Sequence, residues 1–396
     1  MKKKVLITIV IVAIILILLF PIRLQLKDGG TVQYRALLYK VSKIHRLISI
    51  EEMEKEIKNS DAEFLLIAGD LTNEGERVSH EEMRHLLYDF QKTKPVYVIT
   101  ATHDWCSSGK PKRFEGNRFF TDVETLKPGE LRDYYKDFGP SEAVAEFFTH
   151  QNKSSYVIRP TDGVSIFCLD DDQDGKGNSG YSEEHFNWIK QEVEKAKERG
   201  DKIFGMQHHH MLLTEFDRVI NGNGSVERKE KLCRDFADIG LSIMFTGHSH
   251  MHHIRRIENK NGNHFYEFNI ASVCGYPAPI VYCTLTEDGI DTKTEHLKKY
   301  IYNGKEYKND HLKAHATFLF ENVLNSAKKN SKIEFITLLT AIGVPGKKAK
   351  KLWLFAGDLL KLINIKKCIR RIVYIVNAIS IIPDNSEILC SRFKWS

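Results

Sequence analysis

The chain has 396 residues, 42% hydrophobic and 28% charged, with 25 Gly and 10 Pro, which excludes disordered, collagen-like and proline-rich classes. Seven dispersed Cys include no C-x-x-C pair, so neither a zinc ribbon nor a disulfide framework is expected. The net charge of +6 is uneven: residues 1–27 carry five Lys/Arg and no acid, residues 326–396 carry fourteen Lys/Arg against four Asp/Glu, and the body between them is net −9. A mildly acidic body lacks the basic footprint of a nucleic-acid binder, and no nucleic-acid partner is expected.

Residues 5–20 are uninterrupted apolar residues behind Lys2, Lys3 and Lys4. A cleaved signal peptide needs a small-residue site after the run; here Pro21, Ile22, Arg23 and Leu24 follow. Residues 1–27 therefore read as an N-terminal signal anchor. The flanking Lys4 and Arg23 extend a run slightly short of the ~20 residues that cross a bilayer. The lysines in front place the N-terminus in the cytoplasm and the body outside it, as a single-pass protein of the cell membrane. Residues 28–47 read as a linker or atypical segment.

From residue 48 the pattern becomes strand–loop–helix. Ser49-x-x-Glu52 is a capping box ahead of a helix. Glu63–Gly69 is a short apolar run, as in a strand buried on both faces, and it ends at Asp70. A second capping box, Ser79-x-x-Glu82, opens a helix with Met83, Leu86, Leu87 and Phe90 on one face. Val96–Ala101 is the next strand and ends at His103-Asp104. Such a β-α-β unit makes its strands parallel, with ligand chemistry at their carboxyl ends. The pattern recurs in a strand over Val164–Asp170, a helix over Ser182–Glu198, and strands over Lys202–Gln207 and Leu241–Gly247. The last two end at His208-His209-His210 and His248-Ser249-His250. Phe265–Ala271 and Ile280–Thr286 read as an antiparallel pair. The class is α/β with mixed sheets.

Asp170-x-Asp172-x-Asp174-Gly175 resembles the opening of a calcium loop, but Tyr181 stands at the closing acidic position, so it reads as an acidic loop near the site mouth. Residues 301–396 read as a basic helical region. Leu352, Leu354, Phe355, Leu359, Leu362, Ile363 and Ile365 are its apolar positions, either a membrane-surface helix or a helical appendage packed on the main domain.

Four loops after four strands thus offer a carboxylate and several imidazoles, a donor set suited to first-row divalent ions. Gly69-Asp70, then His103-Asp104, then His208-His209, then Gly247-His248-Ser249-His250, in that order, resemble the calcineurin-like metallophosphoesterases over roughly residues 48–290. The resemblance implies an α-β-β-α sandwich over a domain of 48–300. It also implies two divalent ions (Mn, Fe or Zn) and hydrolysis of a phosphate mono- or diester by metal-bound hydroxide. By it, Asp70, His208, His248 and His250 are metal ligands, and His103 is the catalytic acid or transition-state stabiliser. Thr102, Asp104 and His209 stand as either further ligands or residues one layer out.

Two positions depart from the family pattern. Thr102 replaces a ligating Asn, and no Asp-x-His precedes Asp70, where the family finds two ligands of its first metal. His45 is the one upstream His; Asp28 and Asp61 are the upstream Asp residues. Two readings of cofactor content follow, two ions with an unorthodox first site or one ion. Beside the enzyme stand a degenerate binding or scaffold module and a mononuclear metal-binding protein without phosphate chemistry.

Overall fold

The computed structural model describes residues 55–115, 118–172, 179–212, 223–250, 252–275, 278–302 and 305–308, the short segments 22–25, 32–35, 40–43 and 391–394, and residues 53 and 350. The apolar run 5–20, the first capping box, Asp28 and His45 lie outside the described residues. Among the described residues no helix is long and apolar enough to cross a membrane.

Three strands come first, β1 (Ile22–Gln25), β2 (Val32–Arg35) and β3 (Lys40–Lys43), paired antiparallel in a small sheet. The segment 28–47 thus contains two strands, which its weak alternation did not predict. Then come β4 (Leu65–Ala68), α1 (Arg77–Gln91) and β5 (Val96–Ile99), with β4 and β5 parallel as the crossover requires. A hairpin of β6 (Arg113–Glu115) and β7 (Arg118–Phe120) and the helix α2 (Pro128–Tyr134) follow.

The large sheet is built from β8 (Ala145–Phe148), β9 (Ser154–Ile158), β10 (Val164–Leu169), β11 (Lys202–Gln207), β12 (Ile243–Thr246), β13 (His253–Glu258) and β14 (His264–Asn269). Its order is β13-β14-β12-β11-β10-β9-β8. The four central strands β14, β12, β11 and β10 are parallel, and β13, β9 and β8 run antiparallel to their neighbours. Helix α3 (Glu183–Glu198) links β10 to β11, and α4 (Asn223–Ile239) links β11 to β12.

The apolar runs sort by alternation into three layers. From β10, Phe167 and Leu169 pack under α3 and α4 with Ile189, Val193 and Phe236. The alternate residues Val164, Ile166 and Cys168 face the other way, meeting Tyr97 and Ile99 of β5 between the two sheets. On the far side, Val96 and Val98 of β5 meet Met83, Leu87 and Phe90 of α1. Successive strand side chains point to opposite faces, so a strand buried on both sides must be apolar throughout. The layers are helix, sheet, sheet, helix, the expected sandwich.

Two expectations need correction. Helix α1 begins at Arg77, with Glu76 as its N-cap, and Ser79 Oγ donates to the Glu76 carboxylate at 3.1 Å instead of capping a helix of its own. The predicted pair at 265–271 and 280–286 does not form: β14 pairs with β12 and β13, while β15 (Pro279–Leu285) pairs with β16 (Gly289–His296). The unforeseen strand β13 alternates half-buried and exposed residues, so it carries no apolar run. Beyond the large sheet, β17 (Lys299–Tyr302) forms a hairpin with β18 (Lys305–Lys308). Ser391–Lys394 is β19, antiparallel to β16 in a three-stranded sheet with β15; Leu352–Ile365 lies outside the described residues. The five described cysteines are free thiols.

Candidate metal centre

The carboxyl ends of β4, β5, β11 and β12 gather the predicted loops. Gly69 and Asp70 follow β4 with φ of 82° and 54°, both left-handed. Gly69 is required twice over: a Cβ there would lie 2.7 Å from Ala101 Cβ and 3.1 Å from His208 Nδ1. His248 and His250 also take left-handed backbone, φ 64° and 55°. Three of the four expected ligands therefore sit in conformations that cost non-glycine residues of order 1–3 kcal/mol and persist only when their surroundings impose them.

Asp70, His208 and His248 converge. Their ligand atoms lie within 4.8 Å of one another. His208 Nε2 is 3.0 Å from Asp70 Oδ2 and 3.2 Å from His248 Nδ1. The far nitrogen of His208, Nδ1, is 2.8 Å from the carbonyl of Ala68. A carbonyl only accepts, so Nδ1 carries the hydrogen and Nε2 is the atom aimed at the cluster. Burial opposes charge on His208, but the Asp70 carboxylate outweighs it and lifts the imidazole to about 9. His248 is pushed well below the ordinary histidine range, by burial of its ring first and then by His209, His208 and His210 beside it. One proton on His208 thus sits between a carboxylate and a neutral imidazole. Two imidazoles and a carboxylate fit a divalent first-row ion, which would take that proton's place.

His250, exposed like His248, is not among the three converging donors. Its imidazole is held below the usual range by desolvation of its ring, with Asp70 acting the other way. His103 is exposed at the rim; its backbone N–H donates to Asp70 Oδ1 at 3.0 Å, and its Nδ1–H donates to the Asn73 carbonyl. That bond leaves His103 Nε2 as the atom that can give or take a proton. Thr102 is buried, and its carbonyl accepts the Ser107 N–H at 2.9 Å.

Asp104 is wholly buried, and its two oxygens accept the N–H groups of Thr72 and Ala101, each at 2.8 Å. It staples the loop after β4 to the loop after β5. Desolvation, and then the charge of Asp70, raise its pKa. His209 is held by Asp171, whose Oδ2 accepts both its backbone N–H and its Nδ1–H at 3.1 Å; its ring centroid is 4.4 Å from that of His248.

Several residues that sequence reasoning did not single out support this centre. His80 donates from Nε2 to the Asp104 carbonyl at 2.8 Å and accepts the Tyr135 hydroxyl at Nδ1, 2.6 Å away. Burial lowers its pKa to about 4, so it stays neutral. Of the acidic run, Asp174 and Gly175 lie outside the described residues, and the three aspartates before them are buried. Asp170 and Asp172 each bind Lys153 Nζ at 2.9 Å, with all three side chains buried, and Asp171 between them turns toward His209. The two outer carboxylates neutralise a lysine in the protein interior. A lone acid within an apolar strand, Glu267 in HFYEFN, was the readable signal for one more buried support.

The family model for calcineurin-like phosphoesterases matches residues 38–252, and the chain belongs to that family. Among solved structures, a dimetal phosphatase from Danio rerio is similar, with 9% identity, a TM-score of 0.42, and 64% of this chain and 88% of that one covered. No curated protein sequence matches significantly.

Proposed function

We propose that the protein hydrolyses a phosphate mono- or diester with a divalent ion, Mn, Fe or Zn, held by Asp70, His208 and His248, with His250 a further ligand. The convergence of those three donors, with His208 locked in the tautomer that aims Nε2 inward, carries the reading. The ion supplies Lewis-acid polarisation of a phosphoryl oxygen and lowers the pKa of water. The chain's own residues do the rest. Asp104 and His80 fix the two loops on which Asp70 and His103 sit. The Asn73 carbonyl fixes the His103 ring so that a proton on Nε2 faces solvent and substrate, where it can be handed to the leaving oxygen. Residues 1–27 would tether this domain to the cell membrane with its catalytic face outside the cytoplasm.

The full chain, assayed with Mn²⁺ on aryl phosphate mono- and diesters, should turn over at least one. Asp70→Ala and His248→Ala should each abolish turnover while leaving the protein folded. Activity surviving both substitutions would refute the assignment.

A second reading is favoured by one specific observation, the lack of Asp-x-His before Asp70. In that reading the chain keeps one ion and acts as a binding or scaffold module. Elemental analysis of the loaded full chain separates the two: two ions per chain support the enzyme with an unorthodox first site. One ion and no turnover of either ester support the module.

A further inference from the structure

Strand β14 supplies none of the three converging donors, yet it holds both loops that carry the two histidines. Glu267 and Asn269 lie two residues apart and so share one face of the strand. Both are wholly buried, as is Thr246 on the neighbouring β12. Glu267 Oε1 accepts the Met211 N–H at 2.6 Å and the Thr246 hydroxyl at 3.0 Å; Oε2 accepts the Leu212 N–H at 2.6 Å. Met211 and Leu212 directly follow His208-His209-His210. Asn269 Nδ2 donates to Thr246 Oγ1 at 2.9 Å and to the Gly247 carbonyl, and its Oδ1 accepts the Ser249 hydroxyl. Gly247 and Ser249 flank His248.

The result is one continuous buried row, with the loop after β11 at one end and the loop after β12 at the other. A backbone bond from Gly247 N–H to the His208 carbonyl, 2.9 Å, runs alongside it. The row has a task to perform. His248 must be kept in left-handed backbone with Nδ1 3.2 Å from His208 Nε2, and neither feature follows from local preference. A buried carboxylate is costly unless it is hydrogen-bonded, and its three donors offset that cost only if both loops are held in register with it.

We propose that Glu267, Thr246 and Asn269 are positioning residues that set the spacing of His208 and His248 for metal binding, the Thr246 hydroxyl being the joint between the two loops. This rests on the metal-binding reading above. The hydroxyl can be removed with little change of shape, which makes the proposal testable.

The test is Co²⁺ titration of the full chain followed by its visible absorption bands, a readout independent of turnover. Thr246→Val keeps the volume and deletes the joint. It should weaken Co²⁺ binding by about 10- to 100-fold, the usual effect of losing a group that orients ligands, and should alter the bands. Thr246→Ser restores the hydroxyl and should return both affinity and spectrum to wild type. Glu267→Gln, which turns an amide N–H₂ toward one of the loop N–H groups, is the second probe should Thr246→Val fail to fold, and it should weaken binding likewise. Wild-type affinity and bands in Thr246→Val or in Glu267→Gln would overturn the proposal. So would an equal loss in Thr246→Ser, since shape rather than the hydroxyl would then decide. A wild-type chain that binds no Co²⁺ removes the metal reading and the proposal with it. A wild type that binds, with variants that do not differ from it, removes the proposal alone.

Discussion

The proton on His208 gives the metal-free protein a pH dependence that can be worked out from the structure. The imidazole rises from 6.5 in an unfolded chain to about 9 in the fold, because the Asp70 carboxylate 3.0 Å away outweighs the cost of burial. At roughly 1.4 kcal/mol per tenfold change in proton affinity, the ion pair stabilises the fold by on the order of 3 kcal/mol. Asp70, whose pKa is lowered by the same partner against the opposing effect of burial, is the other end of this one interaction and is not counted again. The sign follows from the raised histidine: the contribution is fully present below pH 6.5 and is lost as pH rises through 9. At the acid end the contribution is fully present above about 3.8, the ordinary carboxylate value, and is lost as pH falls through about 2, where Asp70 protonates in the fold. Urea unfolding of the full chain in EDTA should therefore lose about 3 kcal/mol between pH 6.5 and 9.5, and Asp70→Asn should remove most of that slope. A divalent ion must displace the same proton, so its apparent affinity should rise about tenfold per pH unit up to pH 9 and level off above. Stability that stays flat from pH 6.5 to 9.5 in EDTA, or falls equally steeply in Asp70→Asn, would refute the assignment of the proton to His208.

Three further outcomes are expected. His103→Gln leaves intact the backbone N–H that holds Asp70, so it should lower turnover by about 10²- to 10⁴-fold with little change in Mn²⁺ affinity, as steady-state kinetics beside metal titration would show. Gly69→Ala forces a Cβ to 2.7 Å from Ala101 Cβ at φ 82°; it should cost more than about 1 kcal/mol in thermal unfolding and weaken metal binding, because the same Cβ crowds His208. Lys153→Met strands two buried carboxylates, Asp170 and Asp172. It should destabilise by about 3–5 kcal/mol in urea unfolding at neutral pH, with part of the loss recovered at low pH as Asp170, whose pKa burial already raises, takes up a proton.

The sequence by itself determined the layered fold and the loops that carry the candidate ligands. Strands buried on both faces must be apolar throughout, so Val96–Ile99 and Val164–Leu169 announced themselves, and each loop residue of the centre lies just beyond the end of such a run. Asp70, His208 and His248, the three donors that converge, could be picked out as candidates because their chemistry is local: a residue type at a fixed offset from a strand end. Strand β13 and the short strands β1 to β3 were not, since half-exposed strands carry no apolar signature. Neither was the partner of β14, because sheet neighbours are chosen by burial across the whole domain. Only the tertiary structure decided how the loops are held. Asp171 facing His209, Lys153 between two aspartates, and Glu267 reaching the backbone of Met211 and Leu212 join residues 17 to 56 positions apart. A buried polar group is defined by the partner that satisfies it, and that partner is brought near by folding, not by sequence spacing.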